Sequence, residues 1–185
     1  MQRLIGRFNT SILASIAAIG LAQRPLQAST PQPHQPVTVL MVNDGQEVLV
    51  DALGQGRSIR LSCLQAPRPQ QQPWADQASA SLQDLLPAGS EWIFELRSRD
   101  VHGRLVGRLL ERQSDGTPGR DVAESLIKQG KVFVFDGSLG RCDDLPYEAW
   151  EAEARQHQQG VWQSTGGLQR PWDVLETQRS GTLAP

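Results

Sequence analysis

Three short β-type runs crowd into the stretch from Val37 to Leu64, and no other feature of the chain limits its fold as strongly. "VTVLMV" (37–42) and "EVLVDA" (47–52) flank "NDGQ", and "GQG" (54–56) separates the second run from "RSIRLSCL" (57–64). Apolar alternation bounded by Gly, Asn and Asp reads as strands, and breaks this short join antiparallel neighbours, so the stretch is a meander. "PWADQASASLQDLLPAG" (73–89) reads as a helix, with Pro73 suited to its first turn and Pro87 to its stop. Two more strand runs, "SEWIFELRS" (90–98) and "GRLVGRLLER" (103–112), are joined by the turn "RDVHG".

After the turn "SDGTPG", Asp121 stands three residues before Glu124, a capping pair for a helix through Gln129 that Gly130 ends. A short run, "KVFVF" (131–135), precedes a last helix from Leu145 to Gln159, on which Tyr147, Trp150 and Ala154 share a face. Three strands, a helix, two strands and two helices make a mainly β chain. The order is that of a five-stranded OB-fold barrel with three α-helices, and a generic α+β sandwich is the competing arrangement.

The ends differ in composition. Arg3 and Arg7 precede an apolar run from Ser11 to Ala22, and Ala28 offers a small residue for cleavage, so residues 1–28 read as a secretory signal peptide. Residues 29–36 are a proline-rich linker, residues 37–163 the domain, and residues 164–185 a tail too polar and broken for a second domain. This predicts a secreted or periplasmic monomer with no transmembrane segment in the mature chain. Cleavage removes Arg3, Arg7 and Arg24 and no acid, leaving 15 basic against 20 acidic residues, a formal charge of −5. Such a balance argues against nonspecific coating of nucleic acid, which needs a basic face, so any phosphate recognition has to be local. Cys63 and Cys142 can pair as a disulfide in an oxidising compartment; a buried thiol and an unrelated loop thiol are the alternative.

Six segments, in order, are similar to the staphylococcal nuclease, or thermonuclease-like, family. "VNDGQEV" resembles its aspartate-glycine strand start, and "IRLSCLQAP" its arginine strand leading to an acid-x-proline turn. "DVHGR" resembles its aspartate, aromatic, glycine, arginine turn. "VAESLIKQG" is similar to its second helix, "FVF" to a pair of tyrosines near the nucleotide, and "EAEARQHQQGVW" to its last helix. The resemblance runs from about Val37 to Trp162 and implies an OB barrel with three helices. It also implies a chemistry in which calcium, held mainly by two aspartates, polarises a phosphodiester. A glutamate acts on the attacking water, and two arginines neutralise charge on phosphorus.

Carried over position by position, Arg60 and Arg104 match the two arginines, and Asp44 with Gly45 matches the strand start. Gln46 and Gln65 stand at the calcium aspartates, and Arg68 stands at the glutamate after Pro67. Two acids become neutral and one becomes cationic, a change of four charge units around one ion site. At an effective dielectric of 20 and ~5 Å, each unit facing a divalent ion is worth roughly 6 kcal/mol before screening. Neither glutamine nor arginine takes a proton from water near neutral pH. No cofactor is therefore expected, although calcium is the family's ion.

Glu47 is the nearest acid that could rebuild a metal site, with Asp44 and Asp51 close by. Strand alternation relative to Gln46 predicts that Glu47 faces away. Arg60, Arg68 and Arg104 are left as an anion pocket, with His102, Phe133 and Phe135 as further ligand contacts; turn and core positions are the ordinary alternatives for these three. The expected partner is a phosphate-bearing ligand or nucleic acid. The competing readings are a metal-dependent phosphodiesterase with a rebuilt acid site, and a protein-interaction module to which the tail around "RPWDV" contributes.

Overall fold

The computed structural model describes residues 34–135 and 142–182, with the side chains of residue 178 and residues 180–182 left aside. The stretch read as a signal peptide, residues 1–28, lies outside the described residues, as does most of the linker.

The meander folds as its turns require. Strands β1 (His34–Val42), β2 (Glu47–Ala52) and β3 (Gln55–Leu61) pair antiparallel in sequence. β1 begins at His34, inside the proline-rich stretch read as linker, and pairs along β5 (Glu91–Arg99) from His34↔Glu95 to Thr38↔Glu91. β5 pairs with β6 (Leu105–Arg112), and β6 turns back to meet β3 in parallel, Ile59 opposite Leu105 and Leu61 opposite Gly107. That pairing closes a five-stranded barrel, which removes the open sheet edges. Only glycine fits at 107, because a Cβ there would lie 2.2 Å from the Glu95 carbonyl oxygen and 2.6 Å from the Phe94 ring.

"RSIRLSCL" is not one strand. Cys63 has φ of 61°, a left-handed conformation uncommon for a residue with a side chain. The chain breaks there into β3 and a two-residue strand, β4 (Leu64–Gln65). β4 pairs with β8 (Phe133–Val134), which follows β7 (Pro118–Asp121) and α2 (Val122–Lys128). Cys63 is bonded to Cys142, tying this break to the segment that enters α3 (Tyr147–Gln156). Disulfides of this kind persist in oxidising environments.

Valines and leucines from alternate strand positions fill the barrel, with Val39, Val48, Val50, Ile59 and Leu109 fully buried. α1 (Trp74–Leu85) adds Ala78 and Leu82 to this core, and α2 adds Leu126 and Ile127. Burying a side chain of this size contributes roughly 1.5–3 kcal/mol. Asp121 caps α2 by accepting from the Ala123 amide at 3.0 Å, while Glu124 turns outward to pair with Lys128 at 3.2 Å. α3 is shorter than its pattern predicts, and buries Tyr147, Glu151 and Ala154 along one face. Trp150 lies half-buried against the Tyr147 ring.

The tail holds a further helix, α4 (Pro171–Thr182), which its polar composition did not announce. Its first turn packs against a second small core of Phe133, Ala154, Val161 and Trp162. No helix among the described residues is long and apolar enough to cross a membrane.

Candidate functional site

The turn between β1 and β2 is the first wall of the site. Asp44 Oδ1 accepts from the amides of Gln46 and Glu47, both at 2.8 Å, so this carboxylate is spent on shaping its own turn. Gly45 lets α1 press against it; a Cβ at 45 would sit 2.7 Å from the Ala78 Cβ and 3.0 Å from the Ala66 Cβ. The Gln46 carbonyl accepts from the Leu61 amide at 2.9 Å, and its side-chain oxygen accepts from the Ala66 amide at 2.8 Å. Both bonds fix the turn after β3, which supplies the second wall.

Arg60 lies in that second wall. It projects from β3 on the barrel's outer face, its neighbours Ile59 and Leu61 pointing inward. One Nη donates to the side-chain oxygen of buried Gln65 at 2.7 Å, and its Nε is buried with no hydrogen-bond partner among the described residues. Burial holds the guanidinium below its ordinary pKa, and repulsion from Arg104 and Arg68 adds to this, with Asp100 and Asp44 opposing. A desolvated cation whose hydrogen bond among the described residues goes to a neutral amide has donor capacity left for an anion.

Arg104 is arranged differently. Its Nε donates to Asp100 at 2.6 Å and its Nη1 to Glu47 at 2.8 Å. The hydrogen bond with Asp100 is the main cause raising its pKa, against burial and helped by the charges of Asp100 and Glu47. Asp100 also accepts the amides of His102 and Arg104, both at 2.9 Å, which shapes the turn and leaves His102 exposed.

Glu47 does not face away. It is the register partner of Arg60 across β2 and β3, on the same outer face, and its carboxylate accepts from Ser58 at 2.7 Å, Asn43 at 3.2 Å and Arg104. Alternation from Gln46 failed because Gln46 belongs to the turn and only Glu47 opens the strand. Burial raises the carboxyl of Glu47, but the hydrogen bonds from Ser58 and Asn43 and the charge of Arg104 carry it below the ordinary carboxylate value.

Arg68 is near enough to repel Arg60, yet its Nε donates to the Pro171 carbonyl at 3.3 Å at the start of α4. Phe133 is fully buried, edge-on to Trp162 and Trp172 at 5.1 and 6.1 Å, and so is packing. Phe135 is half-buried and stacks on Trp172 at 4.6 Å. A polar cleft lined by Asp44, Gln46, Gln65, Arg68 and Asp76 lies between the two turns and α1.

The donor set does not fit calcium, which takes six to eight oxygens, preferably anionic. The two glutamine oxygens accept from Arg60 and the Ala66 amide, Asp44 Oδ1 accepts two backbone amides, Glu47 and Asp100 pair with Arg104, and Asp76 accepts from the Gln72 side chain. Among the described residues, no three His, Cys, Asp or Glu side chains are placed to hold a metal ion.

A closed five-stranded barrel with helices packed on it defines an OB-fold protein. The family model of staphylococcal nuclease homologues matches residues 58–164, and the chain belongs to that family. Among curated proteins no sequence matches it.

Proposed function

We propose that this chain is an exported member of the staphylococcal nuclease family that binds a phosphodiester anion, with calcium-dependent hydrolysis lost or greatly weakened. The observation that carries this reading is Arg60, whose buried Nε lacks a partner among the described residues while Arg104 and Arg68 repel its charge and Asp100 and Asp44 offset it only in part. A phosphodiester oxygen supplies the charge-assisted hydrogen bonds this guanidinium lacks. Arg104 joins it once Glu47 is displaced from Nη1. Residues 1–28, read as a signal peptide, and the Cys63–Cys142 bond support export to a secreted or periplasmic location, where the protein acts as a monomer.

The test is incubation of the purified protein with single- and double-stranded DNA and RNA over calcium, magnesium and manganese, alongside binding measured by fluorescence anisotropy. No cleavage is expected, with oligonucleotide binding that falls with salt and in Arg60→Ala. Calcium-dependent degradation that chelator and Arg60→Ala both abolish overturns the loss of activity. The second reading, a phosphodiesterase with a rebuilt acid, is favoured by one feature, the turn of Glu47 toward Arg104. Its signature is metal-dependent hydrolysis sensitive to Glu47→Gln or Asp44→Asn.

A further inference from the structure

Phe135 lies just past β8, the strand paired with the β4 strand of Gln65, and its half-buried ring lines a cavity with Trp172, Arg155, Arg170, Glu148 and Glu151, next to the cleft that holds Arg68. Gln65, which holds Arg60, is the register partner of Phe133, and the Phe135 amide continues the contact by donating to the Cys63 carbonyl at 3.1 Å. An aromatic face beside an arginine is what single-stranded nucleic acid uses, a base stacking while its phosphate is neutralised. Here that face is already taken. Trp172 lies on Phe135 with ring centroids 4.6 Å apart and planes 27° from parallel, a stacked geometry.

The segment that delivers Trp172 is fastened to the loop that borders the pocket. Arg68 Nε donates to the Pro171 carbonyl at 3.3 Å, and Gln71 Nε2 donates to the Gln169 carbonyl at 2.6 Å. Arg68 also lines the cleft next to Gln65. One short stretch, Gln169 to Trp172, thus covers the Phe135 ring and, one residue away, engages Arg68 of the neighbouring cleft.

We infer that the C-terminal segment is an internal competitor of the ligand: Trp172 occupies on Phe135 the place of a nucleobase of single-stranded DNA or RNA. The inference rests on the phosphodiester-binding reading above and adds its regulation. A base gains the ring only when the first turn of α4 lifts, so apparent affinity is lowered by the fraction of molecules in which it is closed.

The experiment uses the full chain, wild type and Trp172→Ala, titrated with an oligothymidylate and with an abasic oligonucleotide of equal length, which keeps phosphates and lacks bases. Trp172→Ala is expected to bind oligothymidylate roughly 10-fold tighter, within the range for one base–aromatic stack, and to bind the abasic strand like wild type. In wild type, oligothymidylate is expected to speed amide hydrogen exchange across residues 168–182, and the abasic strand to leave it unchanged. The exchange measurement decides the matter alone if Trp172→Ala does not fold. Unchanged or weaker oligothymidylate binding in a folded Trp172→Ala, or tail amides unmoved by the base-bearing strand, overturns the inference. Binding of the abasic strand by wild type, lost in a parallel Arg60→Ala titration, then leaves the anion reading standing. If neither strand binds either protein, both readings fall.

Discussion

Two arginines on the barrel each face a glutamate across a ladder, and the pairs end differently. Arg108 of β6 is the register partner of Glu95, and the ion pair forms at 3.1 Å. Arg108 Nε also donates to Asp121 at 2.7 Å, and Asp121 accepts the Tyr147 hydroxyl at 2.6 Å besides capping α2. Burial acts against the charge of Arg108, but its partners prevail and raise its pKa. Arg60 of β3 is the register partner of Glu47, yet Glu47 reaches past it to Arg104. The same residue type in the same setting is completed structure in one place and open chemistry in the other. What differs is whether a carboxylate closes the guanidinium.

Removing the closing carboxylate should do the most damage. Asp121→Ala takes from half-buried Arg108 the more buried of its two carboxylates, leaving it Glu95, strips the Tyr147 hydroxyl of its partner and uncaps α2. It is expected to cost about 3–5 kcal/mol, the usual loss when one side of a buried pair is deleted, read as a shift in the urea midpoint. Arg60→Ala is the opposite case. Stability should fall by only about 1–3 kcal/mol, the cost of leaving the buried Gln65 amide oxygen without its donor. Oligonucleotide binding should fall ten- to a hundredfold, as expected for roughly 1.5–3 kcal/mol of hydrogen bonding to a charged group. If Arg60→Ala unfolds the protein as readily as Asp121→Ala, the contrast between the two regions is broken.

Glu47→Gln sharpens the comparison from the other side. It takes the charge off Arg104 Nη1, so oligonucleotide affinity should rise about two- to fivefold, in keeping with the ~0.2–1 kcal/mol of a partly exposed pair. A fall in affinity would mean that Glu47 assists the ligand.

The smallest effect is in acid. The carboxyls of Glu47 and Asp100 are held below their ordinary values of 4.5 and 3.8. Groups whose pKa is depressed on folding add stability that is complete above the unfolded values and is lost as pH falls through the folded ones. Wild type should therefore lose stability below about pH 4.5 more steeply than Glu47→Gln, as thermal melts across that range will show.

Much of the barrel was legible because its signals are local. Short breaks after Val42 and Ala52 forced the meander, Asp121 announced the start of α2, and the arginine strand and its turn stood in their family order. For the site the sequence offers composition alone, with Gln46, Gln65 and Arg68 standing where the resemblance puts carboxylates. Its geometry was not legible. Glu47 was assigned to the wrong face because the limit between turn and strand, set by the Asp44 side chain on two amides, decides the alternation. α4 was missed because its sequence is polar, and its first turn is held by Phe133 and Phe135, more than thirty residues earlier.

The amino-acid order by itself determined which charges the pocket contains, since net charge at a motif needs no coordinates. It also determined the antiparallel start of the barrel, because a chain reversed within a few residues has only one neighbour to pair with. Only the tertiary structure decided which of those charges cancel. Hydrogen bonds and Coulomb attraction act within a few ångströms, and Arg104 finds Glu47 57 residues away in the chain while Arg60, its register neighbour, does not. The placing of Trp172 on Phe135 belongs to the same category, a contact between rings that no local pattern encodes.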